Sequence, residues 1–186
     1  MALIGGDKLM AKLKEILGKT SKGEVLRLGF LEDATYPTGE KVAQVAFWNE
    51  YGTQTSPPRP FFRNFIADHK GEWGNDLGKL MRIRNNDVYE CLHVMGIRMK
   101  GQLEQQIVDT DAPALSPVTI MLRKIRSEKG KNKRVRFGVD APVTAAMYWE
   151  AVSRVKEGES VAGVNAKPLI FTNTMRSNVD FDIQET

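Results

Sequence analysis

The sequence contains a single cysteine, Cys91, and only two histidines, His69 and His93. One cysteine cannot form an internal disulfide, which favours a reducing compartment. Two histidines without a second cysteine do not supply the ligands of a structural zinc site. No apolar run approaches the roughly 18 residues of a membrane-spanning helix. Residues 1–17 alternate charged with apolar side chains, unlike a signal peptide. We therefore expect no disulfide framework, no zinc centre and no membrane contact.

Motifs that carry catalysis or bind nucleotides are also missing. Gly18-Lys19-Thr20 looks like the end of a phosphate-binding loop, but Leu13 stands where that loop needs a glycine. The sequence has no glycine pair of a dinucleotide-binding fold and no nucleophile elbow. Cys91 and His93 lie two residues apart on a predicted helix, so they point in different directions. We predict no catalytic residue, no cofactor and no metal ligand, and we expect that the protein is not an enzyme.

Positive charge is concentrated in one segment. The 186 residues carry 27 Lys and Arg against 23 Asp and Glu, a net charge of +4. The segment from Ser116 to Phe137 contains eight Lys and Arg and one acid, Glu128, so it carries +7 and the rest of the chain −3. Such a segment is either a solvated loop beside a helix or a surface that faces phosphates or an acidic partner. The overall basic charge therefore does not by itself indicate a nucleic-acid-binding protein.

Hydrophobic periodicity predicts an α+β fold. The clearest element is a long amphipathic helix that begins at Asn86 or Asp87 and carries apolar residues three and four positions apart. Glu24–Glu32 and Ser177–Ile183 alternate apolar and polar residues, as β-strands do. Further predicted elements are helices at Asp7–Gly18, Glu40–Tyr51, Pro60–Met81 and Asp140–Val155, a short helix opened by Ser116-Pro117, a loop at Ser127–Arg134, a strand at Val135–Val139 and a loop at Lys156–Ala166.

From these elements we expect a small antiparallel sheet packed against the long amphipathic helix, with additional short helices. We expect a single domain over residues 1–186, with an inserted basic loop and helix at about 127–157.

Aromatic side chains cluster in one stretch. Phe47, Trp48, Tyr51, Phe61 and Phe62 lie within sixteen residues, on either side of a proline-containing loop. Most such side chains belong to a hydrophobic core. The alternative is that some of them anchor a subunit interface, where aromatic residues and arginine are enriched.

The same stretch resembles a known family. Ala46–Thr53 reads Ala-Phe-Trp-Asn-Glu-Tyr-Gly-Thr and is followed by Pro58–Arg63, Pro-Arg-Pro-Phe-Phe-Arg. This helix end, loop and helix start resemble the tail-completion proteins (neck, or head–tail joining proteins) of tailed bacteriophages. Lys167–Ser177 is similar to the family's Pro-Leu-x-x-Thr-Gly block, with Asn173 in place of glycine. Ser116–Ile120 is similar to its short Pro-x-Thr-x helix, and the three blocks follow the family's order.

The resemblance implies a virion structural protein. The chain would be a neck subunit that joins the tail to the head, in a homo-oligomeric ring around the DNA channel, six-fold by analogy. Its partners would be head-completion or connector proteins and tail terminator or tail tube proteins, with non-specific contact to DNA in the channel and none to a membrane. It would be made in the bacterial host cytoplasm and reside in the virion neck. The residues that we predict at interfaces are Trp48, Tyr51, Arg59, Phe61, Arg63, Lys131, Lys133 and Arg134.

Other functions remain open at this point. A tail terminator, which caps the tail tube, would share these motifs. A DNA-binding protein would use the basic segment Arg123–Arg136, although no recognition helix accompanies it. An enzyme such as a nuclease or a wall hydrolase would need acids clustered around a metal. For Arg59 and Arg63, the sequence allows either a bridge to a neighbour's carboxylate or a surface ion pair within the chain.

Overall fold

A computed structural model describes residues 10–11, 14–15, 18, 23–30, 33–36, 38–131, 143–170 and 173–185. Six helices and two strands are bounded within these residues. In chain order they are β1 (Glu24–Phe30), α1 (Val42–Tyr51), α2 (Phe61–Ile83), α3 (Val88–Asp109), α4 (Pro117–Lys131), α5 (Ala145–Lys156), α6 (Thr174–Ser177) and β2 (Val179–Glu185). The strands β1 and β2 form one antiparallel sheet. The α+β class predicted from the sequence is therefore confirmed.

Contacts divide the chain into two compact units. The first contains residues up to 29, 65–102 and from 180 onward; the second contains residues 30–64 and 103–179. The first unit therefore holds the sheet and most of α2 and α3. The second holds α1, α4, α5 and α6 together with the start of α2 and the end of α3.

In the first unit, the long helix α3 packs against β2. Asp87 caps this helix, because its Oδ1 accepts a hydrogen bond from the Glu90 backbone N–H at 3.1 Å. The Phe181 ring of β2 lies directly against the backbone of Gly96, where a β-carbon would overlap it. Lys100 Nζ also lies 3.2 Å from the Asp180 carboxylate. The predicted contact between the sheet and the amphipathic helix is thus formed.

In the second unit, α4 and α5 form a helical hairpin around its own apolar cluster. Its buried residues are Met121, Ile125, Met147 and Ala151, with Val118, Leu122, Val155 and Val161 packed around them. Ser116 caps α4 as predicted, since its Oγ accepts the Thr119 backbone N–H at 3.2 Å. Thr144 caps α5 in the same way through the backbone N–H of Met147.

One predicted boundary was wrong, and one helix was not predicted. The predicted loop from Ser127 is helical as far as Lys131, because α4 stays packed on α5 through Ile125 and its following turn is paired with α5 by charge. The short helix α6 was not predicted; it precedes β2 and buries Met175. The predicted strand Val135–Val139, the start of the helix predicted from Asp140 and most of the helix Asp7–Gly18 lie outside the described residues.

Candidate functional site

The segment after α1, which resembles the tail-completion family, forms a tight loop. Gly52 ends the helix with a φ of 80°, and its backbone N–H donates to the carbonyl of Trp48 at 2.9 Å. A β-carbon on Gly52 would lie 2.9 Å from the backbone nitrogen of Pro58, so the loop folds tightly over this position. Thr53 Oγ1 accepts the backbone N–H of Ser56 at 3.1 Å, which closes the turn. Contacts between residues of the loop itself therefore fix its conformation.

Glu50 joins the end of α1 to the start of α2. This carboxylate is 5% exposed. Its Oε2 accepts the backbone N–H of Phe62 at 2.9 Å, and its Oε1 accepts the backbone N–H of Arg63 at 3.2 Å. These are donors that the first turn of a helix leaves unpaired, and a negative charge suits the positive end of the helix dipole. Glu50 is thus a cap supplied from the preceding helix, a role that the sequence analysis missed.

Arg63 completes this arrangement within the chain. Its Nε donates to Glu50 Oε1 at 2.7 Å and its Nη2 to the Glu50 backbone carbonyl at 3.0 Å. The guanidinium carbon lies 5.1 Å from the centre of the Tyr51 ring, in cation–π geometry. The Arg63 side chain is 55% exposed, so it still reaches the surface. Of the two alternatives for Arg63, the structure forms the pair within one chain.

Phe61 and Arg59 lie inside the fold, which corrects the expectation that they form a surface. Phe61 is 1% exposed and packs edge-on against Phe30, with ring centres 6.2 Å apart. Arg59 is 6% exposed and donates from Nε to the carbonyl of Pro113 at 3.0 Å. Burial lowers the pKa of Arg59. Both side chains therefore make their contacts inside the same chain, Phe61 with Phe30 and Arg59 with Pro113.

A second buried arginine, Arg123, holds the segment before α6. Its Nη1 donates to the carbonyls of Asn165 at 2.8 Å and Lys167 at 2.7 Å, and its Nη2 donates to that of Pro168 at 3.1 Å. Burial lowers the pKa of Arg123 to about 10, and the nearby cations of Arg59 and Arg126 add to that effect. Arg123 therefore fixes a second family-like block rather than offering charge to solvent.

Asn173, which stands in place of the glycine in the block that it resembles, adopts a left-handed backbone conformation. Its φ is 62° and its ψ is −1°, and it immediately precedes α6. Asparagine is one of the few residues besides glycine that visits this region at small cost. The left-handed turn predicted at Asn173 is therefore present.

An aromatic stripe covers the outer face of α1. Phe47, Trp48 and Tyr51 are 59%, 40% and 57% exposed, while Val42, Ala46 and Glu50 on the opposite face are buried. The rings of Phe47 and Tyr51 lie 4.7 Å apart. Large aromatic side chains exposed together mark interaction surfaces more often than singly exposed ones. Trp48 and Tyr51, which we predict to lie at interfaces, thus belong to the exposed surface.

A second exposed aromatic pair lies on α5 and was missed by the sequence analysis. Tyr148 is 46% exposed and Trp149 is 67% exposed, with their rings edge to face at 5.5 Å. The signal was present in the sequence, because Met147 and Ala151 are four residues apart and direct one face of the helix to the core. Residues 148 and 149 then face outward.

A cavity of about 270 Å³ opens beside α1, on the side next to the aromatic stripe. Its apolar walls include Val45, Leu169 and Met175, while Thr38 and Glu40 contribute polar groups. The Thr38 hydroxyl donates to the Glu40 carboxylate, which lowers the pKa of Glu40. Burial, and secondarily the charge of Glu40, raises the pKa of the Tyr36 hydroxyl to about 12.

Two lysines of the basic segment are paired with carboxylates of α5 or of the residues that follow it. Lys124 lies 2.6 Å from Glu159 and Lys129 lies 2.8 Å from Glu150. Arg154 of α5 in turn contacts Glu128 at 2.9 Å. Lys124 and Lys129 therefore contact carboxylates of the same chain instead of facing solvent alone. The side chain of Lys131 and all of Lys133 and Arg134 lie outside the described residues.

Within the described ranges, no group of three or more histidine, cysteine, aspartate and glutamate side chains is arranged to hold a metal ion. The helices in those ranges also include none that is long and apolar enough to cross a membrane. Comparison of the chain with family models, with curated proteins and with solved structures found no match in any of the three.

Proposed function

We propose that this chain is a virion structural protein of a tailed bacteriophage, a neck or tail-completion subunit that joins the tail to the head. In this proposal, copies of the chain form a ring around the DNA channel between connector proteins and the tail. The proposal starts from the resemblance of residues 46–63, 116–120 and 167–177 to that family.

The observation that carries the proposal is the exposed aromatic stripe on α1. Phe47, Trp48 and Tyr51 lie on a helix whose C-terminal end is joined to the first turn of α2 by the hydrogen bonds of Glu50. The residues that carry the resemblance are therefore the ones that hold this surface rigid. A subunit that assembles with neighbours needs such a preorganised surface, because little conformational entropy is then lost on docking.

The two arginines inside the fold support the same proposal. Arg59 and Arg123 bind backbone carbonyls of residues that lie far away in the sequence, so they fix loops between helices. A neck subunit has no substrate to admit, so rigid loops suit that role. Fixed loops favour an assembly protein over one with a mobile active-site loop.

DNA binding is the weaker alternative. Lys124 and Lys129 of the basic segment are paired with carboxylates of the same hairpin, and Arg123 is buried. Paired and buried cations release few counterions when DNA approaches, so their contribution to phosphate binding is small. The tail terminator stays the nearer alternative, because a cap on the tail tube would use a rigid assembly surface in the same way.

The test is to locate the chain in purified particles. We expect mass spectrometry to detect it at a low, fixed copy number, and electron cryomicroscopy to show it as a ring at the head–tail junction. Absence from particles would overturn the proposal. Particles from a strain lacking the chain separate the two assembly roles. Loss of a neck subunit leaves filled heads beside tails of normal length, whereas loss of a terminator gives tails of uncontrolled length.

A matched pair of variants connects the aromatic stripe to assembly. The double variant Phe47→Ser with Trp48→Ser should abolish joining of heads and tails in a complementation assay. The control Tyr89→Ser alters an aromatic residue that is 51% exposed on α3, outside the family-like blocks, and should complement fully. Full complementation by the double variant would remove the stripe from the assembly surface.

A further inference from the structure

Trp149 on α5 and the cavity beside α1 are complementary features of the second unit. We propose that Trp149 of one copy inserts into this cavity of a second copy, in a head-to-tail contact between identical chains. The inference rests on the proposed ring function, and it adds which two surfaces of the chain meet.

The inserting surface is the outer face of α5. Trp149 is 67% exposed, the largest exposed fraction among the aromatic side chains of the described residues. Ser153 and Lys156 follow it by four and seven residues, so they lie on the same face and are exposed. The face therefore consists of one large apolar ring, a small polar residue and a cation about 10 Å further along the helix. A protruding tryptophan of this kind is a typical interface anchor.

The receiving surface is the cavity of about 270 Å³. It is smaller than the roughly 300–1,000 Å³ of small-molecule sites, so it suits one inserted side chain better than a separate ligand. Val45, Leu169 and Met175 supply apolar walls for an indole ring. Trp48 follows Val45 by three residues on α1, so the aromatic stripe borders the cavity and extends the apolar surface.

Charge on the two surfaces is also complementary. Glu40 contributes an exposed carboxylate to the lining of the cavity. Lys156 carries the cation on the tryptophan face of α5. In the proposed contact, Lys156 lies about 10 Å along α5 from Trp149, and Glu40 belongs to the lining of the cavity that Trp149 enters. Opposite charges placed in this way fix the register of two surfaces more than they add affinity.

The aromatic stripe supplies part of the area that an interface between copies would bury. The exposed parts of Phe47, Trp48 and Tyr51 amount to about 300 Å², taking roughly half of the 150–250 Å² of each side chain. A stable interface buries about 800 Å² per partner, so the receiving copy needs more surface than the stripe alone. The loop Thr53–Pro58, which directly follows the stripe, is exposed and lies next to it. The inserting copy contributes the face of α5 that carries Trp149.

The contact joins two different surfaces of the same chain. Contacts of this kind are heterologous, and they close into rings when the rotation between subunits permits. A contact between two equivalent surfaces would stop at a dimer. A head-to-tail contact can be tested with two variants, one that removes the inserting surface and one that blocks the receiving surface.

The experiment uses the purified full chain and sedimentation velocity over a concentration series. Wild type should associate with rising concentration. Trp149→Asp removes the inserted ring, and Thr38→Arg places a large cation at the cavity, where Thr38 is exposed. Each variant should weaken association by at least about tenfold. The control Tyr89→Ser should associate as wild type does, and circular dichroism should show all variants folded.

An equimolar mixture of the two variants tests whether Trp149 of one copy enters the cavity of another. Thr38→Arg keeps Trp149 and Trp149→Asp keeps the cavity, so the mixture should form a heterodimer and nothing larger. Failure of the mixture to pair would overturn the proposal, as would wild-type association of Trp149→Asp. A wild-type chain that stays monomeric at all concentrations would also overturn it, and would leave the cavity to a different protein of the particle.

A charge exchange tests the register. Glu40→Lys and Lys156→Glu should each weaken association, and the chain that carries both changes should recover it. Single variants that weaken association without recovery in the double variant would exclude the Glu40–Lys156 pairing.

The outcomes separate this inference from the proposed function. A neck ring in particles whose purified variants do not pair would keep the function and reject the contact. If the purified variants pair but the chain is absent from particles, the contact is kept and the neck function is rejected.

Discussion

The carboxylate of Glu50 at the end of α1 accepts a hydrogen bond from the backbone N–H of Phe62 at 2.9 Å, in the first turn of α2. A side chain of one helix therefore caps the start of the next. The loop between them, Thr53–Pro58, is held at both ends, because the Arg59 backbone N–H also donates to the carbonyl of Asn49 at 2.6 Å. This linkage explains why glutamate, glycine and arginine occur together in the segment.

Replacing Glu50 by alanine should destabilise the fold by about 2–3 kcal/mol, because buried donors of Phe62 and Arg63 lose a charged acceptor. Urea unfolding followed by circular dichroism measures the change. The comparison variant Arg63→Ala should cost less than Glu50→Ala, since the Glu50 carboxylate then still accepts both backbone N–H groups. An unchanged unfolding midpoint for Glu50→Ala would show that the carboxylate does not act as a cap.

Gly52→Ala should destabilise the protein by about 1–2 kcal/mol. The position has a φ of 80°, and a β-carbon would crowd the Pro58 nitrogen. The matched change Gly71→Ala lies within α2, where a β-carbon meets nothing, and should stabilise the helix by about 0.5–1 kcal/mol. Thermal unfolding of the two variants should therefore shift in opposite directions, and a shift in the same direction would contradict the conformation of Gly52.

Gly96→Ala should disrupt the contact between α3 and β2, because the new methyl group would overlap the Phe181 ring. Overpacking of this kind costs about 1–3 kcal/mol. Gly101→Ala, on the same helix, adds a methyl group in open space and should be neutral or stabilising. Amide hydrogen exchange in Val179–Glu185 should rise in the first variant alone; equal protection in both would show that the ring does not rest on Gly96.

The hairpin of α4 and α5 should lose stability in acid through Glu150. A hydrogen bond from Lys129 and, in addition, the charge of Arg154 lower the pKa of Glu150 below its usual value near 4.5. A carboxyl whose folded pKa is lowered stabilises the fold above its unfolded pKa, and this contribution disappears as the pH falls through the folded value.

The melting temperature of wild type should therefore fall more steeply below about pH 4.5 than that of Glu150→Gln. Lys129→Met should also make the fall of the melting temperature in acid less steep than in wild type, because it removes the partner that lowers the pKa of Glu150. Parallel profiles for wild type and both variants would show that this pair does not contribute to the acid dependence.

Local patterns in the sequence were sufficient for much of the fold. The spacing of apolar residues predicted α1, α2, α3 and both strands, because a helix or strand that buries one face must repeat at its own period. The caps at Asp87 and Ser116, the stop at Gly52 and the left-handed turn at Asn173 were also readable, since each depends on the residue itself and its immediate neighbours.

Burial and pairing were decided by the tertiary structure alone. Arg123 has its backbone acceptors 42 to 45 residues further along the chain, and Arg59 has its acceptor 54 residues away. No local pattern distinguishes such an arginine from a solvated one, so Arg123 was counted among the cations of the basic segment and Arg59 was expected at an interface. The burial of Phe61 was decided in the same way, because its ring is covered by packing against Phe30, which lies on a distant strand in the sequence.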